Sequence, residues 1–213
     1  MKYKAFIFDW DGTLVDSEAH IVSCLKYAAQ QSGLPVLSYD KFKDIIGLGM
    51  REALLSLYPA LSNNEIEDMR GHYSASFFAE TSAPLKLFDG VIDTLKNLQS
   101  KGLSLAVATG KSRNGLNKAL LSTGLQPFFD IERCADETRS KPHPLMLEEI
   151  AEHFSLKPSE MLMIGDTEYD LEMAACFDMD AVGVSYGVHD VSRLMKHKPV
   201  KIIDSLSEIL TLT

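Results

Sequence analysis

Apolar positions along this chain follow two different rhythms, and their order predicts the fold. Phe6-Ile7-Phe8 is a short unbroken apolar run, as expected of a strand buried on both faces. The stretch 17–80 has a helical period instead. Ile21, Cys24, Leu25 and Ala28, then Phe42, Ile45 and Ile46, then Ala53, Leu54 and Leu57 recur at helical spacing. Ser62-Asn63-Asn64-Glu65 has the form of a capping box, opening a further helix that runs toward Phe77 and Phe78. No strand is expected in this stretch. From about residue 85 the two rhythms alternate. Helices are predicted over Gly90–Ser100, Arg113–Ser122, Pro144–Phe154, Glu168–Cys176 and Ser205–Leu210. Strands are predicted over Leu103–Ala108, Ile131–Cys134, Met161–Ile164 and Ala181–Val184.

Such alternation implies an α/β fold, a doubly wound parallel sheet with helices on both faces. The helical block after the first strand reads as a small all-α insertion. The expected division is 1–16 and 83–213 for the α/β core and 17–82 for the inserted helical cap, with hinges near Val15–Ser17 and Ser82–Leu87. A length of 213 residues accommodates both parts. A net charge of −9 argues against nucleic acid or an anionic membrane as the main partner. A small anionic substrate would then need local help from a metal, a lysine or helix termini. Cys24, Cys134 and Cys176 are isolated and odd in number, so they are expected to be reduced packing residues. No apolar stretch approaches the ~20 residues of a membrane span, and MKYKAFIFDWDG enters the first strand without a leader pattern. A cytoplasmic protein is expected.

The predicted strand ends carry the chemistry. Asp9 and Asp11 are two residues apart where the first strand stops, so both can face one pocket at its carboxyl end. Neighbouring acids repel unless a cation or a shared proton compensates them, although a bare Asp-x-Asp-Gly also serves as a polar turn. Thr109-Gly110 closes another strand, where a hydroxyl and a backbone N–H can hold phosphoryl oxygens or simply cap the next helix. Lys141 is followed by Pro142 and Pro144, which fix the backbone around it. Asp166 and Asp170, four apart, share one face of a helix that starts there, as hard oxygen ligands for magnesium or as charges suited to a helix N-terminus. In the helical block, Gly47-Leu48-Gly49 with Arg51 is either a loop reaching the leaving group, Arg51 contacting an anion, or a plain turn.

Asp9-Trp10-Asp11-Gly12-Thr13-Leu14-Val15-Asp16-Ser17 resembles the phosphatase signature of the haloacid dehalogenase superfamily, and Thr109-Gly110, Lys141 and Gly165-Asp166 with Asp170 resemble its later motifs in the right order. The resemblance implies a Rossmann-like core with an inserted cap and a Mg2+-dependent phosphatase. Asp9 would be the nucleophile and Asp11 the general acid/base. Thr109 and Gly110 would bind phosphate, and Lys141 would neutralise nucleophile and phosphate. Asp9, Asp166 and the backbone carbonyl of Asp11 would hold the metal, with Asp170 either a ligand or an acceptor orienting metal-bound water. Gly110 departs from the pattern, since many relatives have asparagine there. Asp11 disfavours carbon–halogen chemistry. Isoleucine before Gly47, and His20 one residue early, disfavour a sugar phosphomutase. The pattern looks most like the phosphoglycolate phosphatase-like group, acting on a small phosphorylated metabolite. A nucleotide or pyrophosphate phosphohydrolase is the alternative, ahead of a phosphate-accepting receiver or a silent phospho-ligand binding module.

Overall fold

The computed structural model describes residues 2–79 and 86–213. Strand β1 (Ala5–Phe8) leads into the two-residue β2 (Val15–Asp16), and four helices follow: α1 (Glu18–Gln31), α2 (Tyr39–Lys43), α3 (Met50–Leu57) and α4 (Asn63–Phe77). After β3 (Lys86–Leu87) come α5 (Val91–Ser100), β4 (Ser104–Thr109), α6 (Arg113–Thr123), β5 (Ile131–Cys134) and α7 (Leu145–Phe154). The chain closes with β6 (Met161–Gly165), α8 (Glu168–Cys176), β7 (Asp180–Val184), the short α9 (Val191–Leu194), β8 (Lys201–Ile203) and a 3₁₀ segment over Leu206–Leu212.

Six of these strands form one sheet in the order β5-β4-β1-β6-β7-β8, and every pairing in it is parallel. β1 is central because it can be apolar on both faces: its four residues are fully buried. Phe6 and Phe8 pack on one side with Leu105, Val107, Leu162 and Ile164 against α5 and α6. Ala5 and Ile7 pack on the other with Ala106, Ala108, Met161 and Met163 against α7 and α8. The alternation of side chains along a strand thus divides one apolar run between two helical layers.

Helices α1–α4 bury their own apolar cluster, including Leu25, Phe42, Leu54, Ile66 and Met69, and Val188 from the core side joins it. The expected capping box is present, with Ser62 and Glu65 satisfying each other's backbone N–H. α2 is shorter than the pattern suggested. It stops at Lys43, and Ile45 and Ile46 are buried from the turn beyond it.

Several elements were not foreseen. β2 and β3 pair antiparallel, Val15 with Leu87 and Asp16 with Lys86, where the chain leaves for the helices and returns. Two residues carry no readable period. β8, α9 and the 3₁₀ character of the last segment were also missed, and Pro144 is the residue before α7, not within its first turn. Cys24 and Cys134 are buried, whereas Cys176 is exposed and is not a packing residue. The expected second boundary, 82–83, lies outside the described residues, as does most of its hinge. Among the described residues no helix is long and apolar enough to cross a membrane.

Candidate active site

Parallel pairing aligns the carboxyl ends of β4, β1 and β6, since Phe8 is in register with both Val107 and Ile164. Thr109, Asp9 and Asp166 therefore emerge side by side at one edge of the sheet, the place where open α/β sheets put their ligands. Lys141 arrives from the segment between β5 and α7, and Asp170 from the first turn of α8. Asp9, Thr109, Lys141, Asp166 and Asp170 are all at most 1% exposed.

Lys141 Nζ lies 2.6 Å from Asp9 Oδ1 and 2.6 Å from Asp170 Oδ1. Asp166 is held from two sides: the Thr13 hydroxyl donates to Oδ1 at 2.7 Å and the Val188 N–H to Oδ2 at 2.8 Å. Asp170 Oδ2 accepts the Thr167 hydroxyl at 2.7 Å and the Thr167 N–H at 3.0 Å, the capping box of α8. Asp9 Oδ2, by contrast, is buried and has no hydrogen-bond partner among the described residues. Carboxylate oxygens of Asp9, Asp166 and Asp170 lie within 4.8 Å of one another.

Burial and mutual repulsion act on this cluster as expected. Burial pushes the Asp9 carboxyl well above the ordinary range, with Lys141 opposing the shift and the charges of Asp170 and Asp166 adding to it. Burial, then the Asp170 charge, raises Asp166 to about 7. For Lys141, burial alone would lower the ammonium, but the carboxylates of Asp170 and Asp9 outweigh it and keep the group protonated. Three carboxylates facing one ammonium leave a formal charge of −2 when all are ionised. Oxygen ligands with that surplus suit a hard divalent cation, so the donor set fits Mg2+.

Asp11 stands apart from this trio. Its Oδ1 accepts the Ser17 hydroxyl at 2.6 Å, and its Oδ2 lies 2.9 Å from Lys111 Nζ. The Lys111 side chain is 9% exposed, paired with Asp11, and 4.7 Å from the centre of the Phe77 ring of α4. The structure does not bring Arg51 to the site. Arg51 is exposed, donates to Asn63 Oδ1 at 2.9 Å, and is absent from the cavity lining, because it points from α3 toward the start of α4. Thr13, Ser17 and the Val188 N–H were not singled out from sequence. The first two sit inside the signature run, whereas the third is a backbone group with no sequence mark.

Close approach explains the glycines. A Cβ at Gly165 would fall 2.3 Å from Asp170 Cβ, and one at Gly187 would fall 2.1 Å from Asp166 Cβ. A Cβ at Gly110 would meet the backbone carbonyls of Leu48 and Gly47 at 2.5 and 2.6 Å. Gly110 therefore stands where a side chain would collide with the loop after α2, and that loop closes over Thr109. The same loop is tied to the core by the Gly49 N–H, which donates to Ser140 Oγ at 2.7 Å, and by the Tyr169 hydroxyl, which donates to the Asp44 carbonyl at 2.9 Å. Below it is a cavity floored by Asp9, Asp11 and Thr109 and walled by α1, α3 and α4.

Gly110→Ala should push residues 45–50 off the core. The check is amide hydrogen exchange, expected to rise in that loop while β1 and β4 stay protected; unchanged loop exchange would contradict the contact. The carboxylate cluster makes a pH prediction. Because Asp166 is raised from 3.8 to about 7, the fold binds this proton more tightly than the unfolded chain. Its stabilising contribution is therefore full below about pH 4 and is lost as pH rises toward about 7 in metal-free protein; Asp9 shifts the same way. A divalent cation requires the ionised carboxylates. The difference in Tm between Mg2+ and chelator should thus widen from about pH 5 to about pH 8. A pH-independent difference would count against this site.

Residues 6–184 match the family described as haloacid dehalogenase-like hydrolase. The phosphoglycolate phosphatase of Vibrio parahaemolyticus is 30% identical over 97% of this chain and 94% of its own. The pyrophosphatase PpaX of Bacillus pumilus is 26% identical over 97% of this chain and 94% of its own. The solved structure of a predicted phosphoglycolate phosphatase from Haemophilus somnus 129pt matches the fold with a TM-score of 0.89, at 24% identity, over 100% of this chain and 98% of that one. The chain belongs to the haloacid dehalogenase-like hydrolase family, in its phosphoglycolate phosphatase-like group of phosphatases.

Proposed function

We propose that this chain hydrolyses a small phosphate monoester with Mg2+ and an aspartyl-phosphate intermediate on Asp9. The observation that carries the reading is Asp9 itself. One of its oxygens is fixed by Lys141, the other is buried without a hydrogen-bond partner among the described residues, and the carboxylate lies close to those of Asp166 and Asp170. A buried carboxylate oxygen without a partner is costly unless the site supplies one in use.

Asp9, Asp166 and Asp170 would hold the metal, with the backbone carbonyl of Asp11 as the resemblance implies. The ion would supply charge neutralisation for the phosphoryl group. Asp9 would attack phosphorus in line, forming the acyl phosphate as the P–O bond to the leaving group breaks. Lys141 keeps that carboxylate oriented and offsets the negative charge brought in by phosphate. The Thr109 hydroxyl, at 3.2 Å the acceptor of the Lys111 N–H, would hold phosphoryl oxygens together with backbone N–H groups of the same turn. Asp11, fixed by Ser17 and Lys111, would give a proton to the departing oxygen and then take one from the water that cleaves the acyl phosphate. Residues 17–82 would act as the cap, enclosing the leaving group and excluding bulk water.

Asp9→Asn should abolish phosphate release while leaving the fold intact by circular dichroism. Asp11→Ala should lower kcat by about 10²- to 10⁴-fold. Both are read by phosphate release with and without Mg2+. Metal-dependent turnover retained by Asp9→Asn would overturn the nucleophile assignment.

A further inference from the structure

The chamber over the carboxylates is walled largely by apolar side chains: Ile21 and Leu25 of α1, Ile46 and Leu48 of the loop, and Phe77 and Phe78 at the end of α4. Cations decide what such a chamber accepts, and among the described residues the two on its lining, Lys111 and Arg70, each already face a carboxylate, as does Lys141 beneath it, while Lys118 rests 4.0 Å over the Phe78 ring and is not on the lining. Lys141 is shared by Asp9 and Asp170. Lys111 is paired with Asp11 and covered by Phe77. Arg70, at the rim, is 55% exposed and gives both its Nε, at 2.9 Å, and an Nη, at 2.5 Å, to Glu67. Residues 80–85, outside the described part, contain no lysine, arginine or histidine. The lining also offers neutral polar groups. Ser112 caps α6 by accepting the Gly115 N–H, while the Tyr73 and Ser74 hydroxyls have no partner among the described residues. Tyr73 is packed beside Phe77, with ring centres 5.6 Å apart.

We infer that the substrate is the phosphate monoester of an uncharged, mainly apolar alcohol, and that the chamber discriminates against leaving groups carrying a carboxylate. The inference rests on the phosphatase reading of the same site. A carboxylate in this chamber would lose its water without gaining a cation, and it would face the charge of Asp11. An aliphatic or aromatic group would instead bury apolar surface against α1, the loop and α4. The Tyr73 and Ser74 hydroxyls serve one neutral hydrogen-bonding group on such an alcohol, Tyr73 from the apolar wall itself.

The test is a matched pair: isobutyl phosphate against 2-phosphoglycolate, in which the two carboxylate oxygens take the place of two methyl groups. Glycolate is the better leaving group of the two, so intrinsic reactivity works against the expected result. The expectation is a kcat/KM at least about tenfold higher for isobutyl phosphate, with the difference in KM. Leu48→Lys adds a cation on a half-buried loop residue of the lining and should narrow that ratio several-fold by lowering KM for 2-phosphoglycolate. Equal efficiencies, or a preference for 2-phosphoglycolate in the wild type, would overturn the inference while leaving the phosphatase reading intact. Acetyl phosphate, with a compact leaving group, separates the two readings further: no Mg2+-dependent release from any of the three substrates overturns both.

Discussion

Lys141 between Asp9 and Asp170 is the contact on which the rest of the site depends. An ammonium this deeply buried is tolerable only with carboxylates on it, and each of those carboxylates is tolerable only with the ammonium. The three residues come from widely separated parts of the chain, so the pairing also fixes how the β5–α7 segment and the first turn of α8 meet the end of β1. Asp9 and Asp170 already exceed the lysine by one negative charge, Asp166 brings the surplus to two, and the Thr13 and Val188 donors only partly offset its burial. Such a cluster is stable as a scaffold only with a proton or a cation to complete it. The strain in charge is what makes it fit a divalent metal and a phosphoryl group.

The second constraint is spatial. The loop carrying Gly47 and Leu48 comes so near Gly110 that no side chain fits between them. Around this contact a set of polar ties joins the helical segment to the core. Arg193 reaches the carboxylates of both Asp44 and Glu168. Buried His189 accepts the Glu168 N–H at Nδ1, and its Nε2 lies 3.3 Å from the Asp44 carbonyl. Burial lowers the His189 pKa, followed by the neighbouring Arg193, so the neutral imidazole is the form that fits this junction. Glu168 and Tyr169 lie between Asp166 and Asp170 in sequence. The same turn therefore serves the carboxylate cluster on one side and the helical segment on the other.

How much of this could be read from the sequence follows from what leaves a periodic or motif signal. The buried strands β1, β4 and β6 were legible because an unbroken apolar run has few other uses in a chain of this composition. The helices were legible from their apolar spacing, and α4 from its capping box as well. β2, β3 and β8 were not, because two or three residues at a ribbon or a sheet edge show no period. At the site, Asp9, Lys141, Asp166 and Asp170 were legible by type and order, and the structure gathers them at one sheet edge. Arg51 failed for a local reason: a helix turn aims it at Asn63. The cover over Lys111 was not legible, because sequence cannot show that an aromatic from α4 lies against it. Gly110 looked like a departure from the expected asparagine, but it is a steric requirement set by a loop some sixty residues earlier in the chain.

The two halves of the pocket also divide the work of recognition unequally. At the floor, charge and hydrogen bonds are directional and demand a phosphoryl group. In the chamber, apolar walls bind by area, and one methylene more or less in such a pocket changes affinity by only about 1–3 kcal/mol. A wall of Ile21, Leu25, Leu48, Phe77 and Phe78 therefore ranks uncharged leaving groups only gently. On the proposed reading its sharp discrimination is against charge, since among the described residues each cation on the lining is already paired with a carboxylate. Selectivity of this chain then resides less in any one contact with the leaving group than in the prior pairing of Lys111 with Asp11 and of Arg70 with Glu67. Those pairings remove from the chamber the cations that would otherwise have welcomed a carboxylate.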